Sequence, residues 1–138
     1  MHSRIFNVVP VGSNWEKLNE DDVFDVMNGR ADYVVEMNES DRVRYEMDYL
    51  LKVLKADLPN VTLNKNSEGN YILRLSMKEL KDKINRFDGS LNDRCGYLFM
   101  YQLNLPFTEL EWFYYLLSRY SEDAVIEFMV VQVFDCHF

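Results

Sequence analysis

Apolar residues dominate the stretch 124–134, which is rich in β-branched and aromatic side chains and contains no Gly or Pro. They occupy both alternating sets of positions, a pattern typical of a strand that is covered on both faces. We therefore predict a long strand in the interior of a sheet. The side chains expected to be largely buried are Ile126, Phe128, Val130 and Phe134, with most of Val125, Met129, Val131 and Val133.

Two other stretches carry apolar residues at the period of an α-helix. Thr108 and Glu111 have the spacing of a capping box, and they predict a helix that extends to about Tyr120. Its apolar stripe would comprise Leu110, Phe113, Tyr114 and Leu117. A second helix is predicted over residues 41–56, capped by Asn38 or Ser40. Its stripe would comprise Val43, Met47, Leu50, Leu51 and Leu54.

Shorter patterns predict the remaining elements. Asn19 is a suitable N-cap for a short helix with an acidic first turn, and Ser76 with Glu79 forms a second capping-box pattern. Residues 31–37 fit either a strand or a helix. Strands are predicted over three further regions: 4–9, a hairpin formed by 61–65 and 70–75, and 95–105.

This order of elements favours a single α+β domain over residues 1–138. We expect a mixed or antiparallel sheet of about four to five strands with about three to four helices. The middle of the chain runs strand, helix, hairpin, helix, strand, and so resembles a split βαβ arrangement.

The net charge of −8 narrows the choice of partner. Residues 1–48, 49–100 and 101–138 carry net charges of −6, +3 and −5, so two acidic ends flank a mildly basic middle. Direct binding to nucleic acid requires a basic surface and is not expected.

No apolar run is long enough to span a bilayer, and the N-terminus lacks a signal-peptide pattern. We expect a cytoplasmic protein without membrane contact, in which Cys95 and Cys136 are free thiols, although a disulfide between them stays open.

The residues that usually carry catalysis are sparse. The chain has two histidines, His2 and His137, and only the second lies beside a cysteine, Cys136. Adjacent residues of a strand point to opposite faces, which opposes a catalytic thiol–imidazole pair. No glycine-rich phosphate loop and no zinc-ligand spacing are present. We therefore predict no catalytic residues, no metal and no cofactor.

Aromatic residues are in excess, with nine Tyr, nine Phe and two Trp. Some lie off the apolar stripes and beside carboxylates, as expected of a protein-binding surface. The predicted partner-binding residues are Asp41, Tyr45, Asp48 and Tyr49 on one helix, and Glu111, Trp112 and Tyr115 on another. The alternative for the second group is burial between the helix and the sheet.

In size, charge and lack of catalytic groups, the chain resembles small acidic proteins that inhibit basic nucleic-acid enzymes. Phage anti-defence proteins, including anti-CRISPR proteins, and toxin-immunity proteins are of this type. The resemblance implies a protein-binding inhibitor or adaptor without enzymatic activity, whose acidic surface complements a basic channel. Two alternatives remain: a structural protein that self-associates, for example as a homodimer, and an enzyme that uses carboxylates and tyrosines.

Overall fold

The longest strand of the fold is β6, Val125–His137, and the sheet is built around it. A computed structural model describes residues 2–85, 97–101 and 106–138. The other strands in this part of the chain are β1 (His2–Pro10), β2 (Tyr33–Glu36), β3 (Thr62–Lys65), β4 (Tyr71–Ser76) and β5 (Tyr97–Met100). The described part of the chain is thus one α+β domain with a mixed sheet, as predicted.

The sheet has the order β3-β4-β6-β1-β5. β6 is antiparallel to β1 along one side, while its other side pairs first with β4 and then with β2. β5 is parallel to β1. The prediction that the last strand is interior is therefore confirmed, and residues 31–37 contain a strand. Although β5 follows β4 along the chain, the two strands are not neighbours in the sheet, because β6 and β1 lie between them.

Four helices belong to the described residues: α1 (Glu20–Val26), α2 (Ser40–Asp57), α3 (Met77–Asn85) and α4 (Glu109–Arg119). Asn19 accepts a hydrogen bond from the Asp22 backbone N–H, and the capping box of α4 is fully formed. The predicted cap of α2 is wrong: Ser40 is already helical, Glu39 is the N-cap, and no side chain caps this end. At α3, Ser76 caps Glu79 N–H, but the Glu79 carboxylate accepts from Asn60 N–H instead of closing the box.

The sheet has a core on each face. The larger core contains Phe6 and Val8 of β1 with the buried sides of α2, α3 and α4. The smaller core contains Ile5 of β1 with α1 and the segments around it. Successive residues of β1 therefore serve opposite cores, as the period of a strand requires.

The burial of β6 differs in part from the prediction. Phe128, Val130, Val133 and Phe134 are buried, whereas Val125 is 48% exposed at the start of the strand. Ile126, Met129 and Val131 are half-buried. β6 has a bulge between the part that pairs with β4 and the part that pairs with β2. Asn7 faces Gln132 and Val8 faces Val130, so Val131 is an extra residue in β6.

The apolar stripe predicted for α4 is correct for Phe113, Leu110 and Leu117, which lie in or against the larger core, and wrong for Tyr114. The helix buries Glu109, Trp112, Phe113 and Leu116, while Tyr114 is 55% exposed. The Trp112 ring stacks on Phe99 with centroids 4.2 Å apart and meets Phe128 edge-on. Burying the largest ring of the helix removes more apolar surface than burying Tyr114, so the helix is rotated towards Trp112.

One predicted strand can be compared with the structure only in part. Of residues 95–105, β5 covers Tyr97–Met100. Residues 95, 96 and 102–105 lie outside the described residues, and Cys95 is among them. Cys136 is a free, buried thiol.

Candidate functional site

One end of the sheet carries polar and aromatic side chains on the face that the larger core occupies elsewhere. Arg4 precedes the buried Phe6 by two residues, and Asp135 follows the buried Val133 by two, so these side chains share that face. The strand register places His2 opposite His137 and Arg4 opposite Asp135. On the flanking strands, Tyr33 faces His137, Val35 faces Asp135, and Tyr97 faces Arg4.

The first turns of α2 border these strands and supply further aromatic and acidic groups. We define the end surface as the set formed by the sheet and helix residues together. It comprises His2, Arg4, Asp32, Tyr33, Val35, Tyr45, Glu46, Tyr49, Tyr97, Asp135 and His137.

A guanidinium lies at the base of the end surface and joins the helix to the sheet. Arg4 Nε donates to Glu46 Oε1 at 2.9 Å, and Arg4 Nη1 donates to Asp135 Oδ1 at 2.6 Å. Burial alone would lower the pKa of Arg4, but the hydrogen bond and charge of Glu46, with the charge of Asp135, raise it overall. The Arg4 side chain therefore remains charged and holds α2 against β1 and β6.

Both histidines of the chain meet at this end of the sheet. Their ring centroids are 4.8 Å apart, although the residues lie at opposite ends of the sequence. His2 Nδ1 is 3.1 Å from Asp135 Oδ1, and His137 Nδ1 is 3.0 Å from Asp32 Oδ2. The Tyr33 ring stacks nearly parallel on His137 at 5.1 Å. Each imidazole thus has a carboxylate beside Nδ1 and an aromatic ring against its plane or edge.

The tyrosines of α2 and β5 form the other half of the end surface. Tyr49 stacks on Tyr97 at 5.7 Å, and Tyr97 in turn stacks on the buried Phe6 at 5.6 Å. Burial, followed by the charges of Glu46 and Tyr49, raises the pKa of Tyr97 far above its usual value. The Tyr97 hydroxyl is therefore neutral, and it cannot act as a base near neutral pH.

Four exposed aromatic and apolar side chains lie on this surface. Tyr45 is 68% exposed, Tyr49 and Tyr33 are each 43% exposed, and Val35 is 45% exposed. Their positions are fixed by strands, by α2 and by ring stacking instead of by loops. Such a surface can bind a partner with little loss of its own conformational freedom.

Of the two predicted groups of partner-binding residues, the group on α2 is exposed throughout, whereas the group on α4 contains exposed, half-buried and buried residues. Tyr45 and Tyr49 are exposed on α2, as are Asp41 and Asp48, and Asp41 lies 3.8 Å from Arg44. For Trp112 the sequence leaves a partner surface and burial open, and the structure decides for burial: the side chain is only 2% exposed and belongs to the larger core.

The two remaining predicted residues of α4 have local contacts. Tyr115 is half-buried and stacks on Phe107 at 5.2 Å. Glu111 is exposed, and its carboxylate closes the capping box with Thr108. Neither residue extends the end surface.

Sequence reasoning missed the sheet half of the end surface. The predicted partner-binding residues do not include His2, Tyr33, Val35 or His137. A period-2 pattern was present in Tyr33 and Val35, and again in Asp135 and His137. Only the pairing of β1, β2 and β6 brings these two patterns together, because it links residues more than a hundred positions apart.

The described residues contain no group of three or more His, Cys, Asp or Glu that could hold a metal ion. Cys136 and His137 lie on opposite faces of β6, since Cys136 belongs to the smaller core while His137 belongs to the end surface. Burial, with a smaller effect of Asp135, raises the pKa of the Cys136 thiol to about 11. A thiol with such a pKa is almost entirely protonated near neutral pH and is a poor nucleophile.

In residues 2–85, 97–101 and 106–138, no helix has the length and apolar character needed to cross a bilayer. The chain matches no protein-family profile, no curated protein and no solved structure.

Proposed function

We propose that the chain is a non-enzymatic protein that binds and inhibits another protein, or acts as its adaptor, through the end surface. The observation that carries the proposal is the group of exposed Tyr33, Val35, Tyr45 and Tyr49 side chains, of which Tyr33 stacks on His137 and Tyr49 stacks on Tyr97. Tyrosine supplies much of the binding free energy at protein interfaces, and a rigid scaffold lowers the entropy lost on binding.

The charge of the chain suggests the kind of target. A protein with a net charge of −8 is attracted to basic surfaces, and a nucleic-acid enzyme presents such a surface along its binding channel. We therefore propose a cytoplasmic inhibitor of the phage anti-defence or toxin-immunity type, which contacts the enzyme and not its nucleic acid.

The proposal can be tested by capture from the native cell with the wild-type chain and with a Tyr33→Ala, Tyr49→Ala double variant. The captured protein should be a basic nucleic-acid enzyme whose activity the wild-type chain inhibits in a purified assay. We expect the double variant to lose at least about tenfold in affinity, because interface tyrosines are frequent hot spots.

Tyr114→Ala is the matched control, since Tyr114 is a similarly exposed tyrosine on α4, outside the end surface. Thermal melts must show that each variant is folded. Equal inhibition by the double variant and the wild type would refute the assignment of the surface. Sedimentation of the purified chain as a dimer that the double variant disrupts would favour self-association instead.

A further inference from the structure

A cavity lies between α4 and the end of β1 that is farther from the end surface. Its volume is about 50 Å³, and its lining includes Pro10, the last residue of β1, and Tyr101, which follows β5. No residue of the end surface lines it. The cavity is therefore a second site, and what it binds is independent of the proposed function.

The cavity is apolar at its inner end and polar at its mouth. The inner wall is formed by Trp112 and Leu116 of α4 with Phe128 of β6, all of which are buried in the larger core. The mouth is formed by the exposed Arg119, in the last turn of α4, and by half-buried tyrosines. A ligand that fits this gradient has an apolar part that enters first and a polar part that stays near solvent.

Arg119 is the only charged residue in the lining of the cavity. Within the described ranges of the chain, its guanidinium forms no ion pair, and it lies over the Tyr115 ring at 5.7 Å. A guanidinium offers paired N–H donors whose geometry matches the two oxygens of a carboxylate. The charge at the mouth thus favours an anion, and a carboxylate can accept from it in a bidentate way.

Three tyrosine hydroxyls lie near this guanidinium, from Tyr101, Tyr115 and Tyr120. In the part of the chain that the structure describes, no group is hydrogen-bonded to these hydroxyls. Burial, followed by the charges of Tyr115 and Tyr101, raises the pKa of Tyr120, while the charge of Arg119 opposes that rise. The Tyr120 hydroxyl is therefore protonated near neutral pH and can donate to an anion beside Arg119.

The volume limits the apolar part of the ligand. A buried apolar cavity of about 150 Å³ holds benzene, which has six carbon atoms. At the same density, a cavity of about 50 Å³ holds two to three carbon atoms. The tail that enters the inner end is therefore short and unbranched.

We propose that this cavity binds a free short-chain carboxylate, with a tail of two or three carbons against Trp112 and Phe128 and the carboxylate at Arg119. Inorganic phosphate has no apolar part to fill the inner end. The side chain of an Asp or Glu residue from a partner protein carries its carboxylate at the tip, so it would place the charge in the apolar end and leave Arg119 unpaired.

The test uses the isolated chain and four probes, followed by NMR chemical-shift titration at about pH 7: butyrate, acetate, octanoate and butylammonium. We expect butyrate to bind with a dissociation constant of about 1 mM or below. Acetate, which lacks two methylene groups, should bind at least about tenfold more weakly. Octanoate should bind no more tightly than butyrate, because its tail exceeds the cavity. Butylammonium has the same tail with the opposite charge, and it should also bind at least about tenfold more weakly than butyrate.

Two substitutions of Arg119 separate charge from packing, and both lie at an exposed position. Arg119→Gln should weaken butyrate binding at least about tenfold, and Arg119→Lys should recover part of that loss. Arg44→Gln is the matched control, since Arg44 is an exposed arginine of α2 outside the cavity, and it should bind butyrate as the wild type does. Thermal melts establish that the three variants are folded.

The inference would be overturned by a wild-type chain that does not bind butyrate, by equal affinities for butyrate and acetate, or by wild-type affinity in Arg119→Gln. Tighter binding of octanoate would also overturn it, because a longer tail gains affinity only outside this cavity. Binding of an acetylated glutamate amide as tight as that of butyrate would assign the cavity to acidic side chains of a partner protein instead. None of these results bears on the end surface, which the captured partner and the Tyr33→Ala, Tyr49→Ala variant test separately.

Discussion

Replacement of Gln132 by alanine should lower the free energy of unfolding by about 4 kcal/mol, because this side chain joins three segments of the chain. Its Oε1 accepts from Asn7 Nδ2 and from the Leu18 backbone N–H, each at 3.0 Å. Its Nε2 donates to the Leu18 carbonyl at 2.8 Å and to Glu36 Oε1 at 2.9 Å. Gln132 thus connects β6 to β1, to the segment before α1, and to the end of β2.

The magnitude follows from the burial of these groups. Gln132 is 6% exposed and Asn7 is 2% exposed, and Asn7 Oδ1 already has no hydrogen-bond partner among the described atoms. A neutral hydrogen bond contributes about 0.5–1.5 kcal/mol, and one to a charged group about 1.5–3 kcal/mol. Alanine removes three of the first kind and one of the second. Water that enters beside the partly exposed Glu36 should recover a fraction, which leaves about 4 kcal/mol.

The assay is equilibrium unfolding in urea, followed by circular dichroism at constant pH. Gln132→Met keeps most of the side-chain volume and removes the hydrogen bonds, so it separates polar contacts from packing. We expect the methionine variant to lose most of what the alanine variant loses. Val125→Ala, at an exposed position of the same strand, should change stability by less than about 0.5 kcal/mol. A methionine variant within about 1 kcal/mol of the wild type would refute the argument.

Three further predictions concern the core and the last strand. Trp112→Ala should lower the free energy of unfolding by about 3–5 kcal/mol, whereas Tyr49→Ala, at an exposed position, should lower it by less than about 1 kcal/mol. Both losses are measured by urea titration, and similar values for the two variants would contradict the burial of Trp112. Deletion of residues 129–138 removes the part of β6 that pairs with β2 and with nearly all of β1, so the product should be insoluble. A soluble product with a cooperative melt would argue against an interior β6. Burial raises the pKa of Cys136 to about 11, so the folded chain keeps a proton that the unfolded chain loses from about pH 8.5 upwards. Stability should therefore be complete below about pH 8.5 and decline towards pH 11, and Cys136→Ala should reduce that decline in urea midpoints measured across this range.

The features that could be predicted from sequence are those set by neighbouring residues. The capping box of Thr108 and Glu111, the Asn19 cap, and the hairpin of β3 and β4 all depend on residues a few positions apart. The interior position of β6 was also predictable, because a strand with apolar side chains on both faces is stable only when both are covered. The order of helices and strands in the described residues is therefore the predicted order.

The rest depends on contacts between distant segments, which no local pattern contains. The rotation of α4 is decided by the stack of Trp112 on Phe99 and its contact with Phe128, from two different strands. A helix that is apolar nearly all round offers several stripes of similar hydrophobicity, so its orientation follows from the ring that fits the sheet. The joining of His2 with His137 likewise requires the register of β1 on β6.

The location of the end surface follows from the lengths of the elements. β6 has 13 residues and spans about 40 Å, whereas the 18 residues of α2 span about 27 Å. Even in full alignment, the helix would leave about four residues of β6 without cover, and about two of these point to this face. Apolar side chains at those positions would leave an exposed apolar patch, prone to aggregation, at the end of the sheet. The chain instead has Asp135, which pairs with Arg4, and His137, which pairs with Asp32. Because Tyr33 and Val35 remain exposed beside these ion pairs, this end combines polar contacts with apolar area, which is the composition that a protein interface requires.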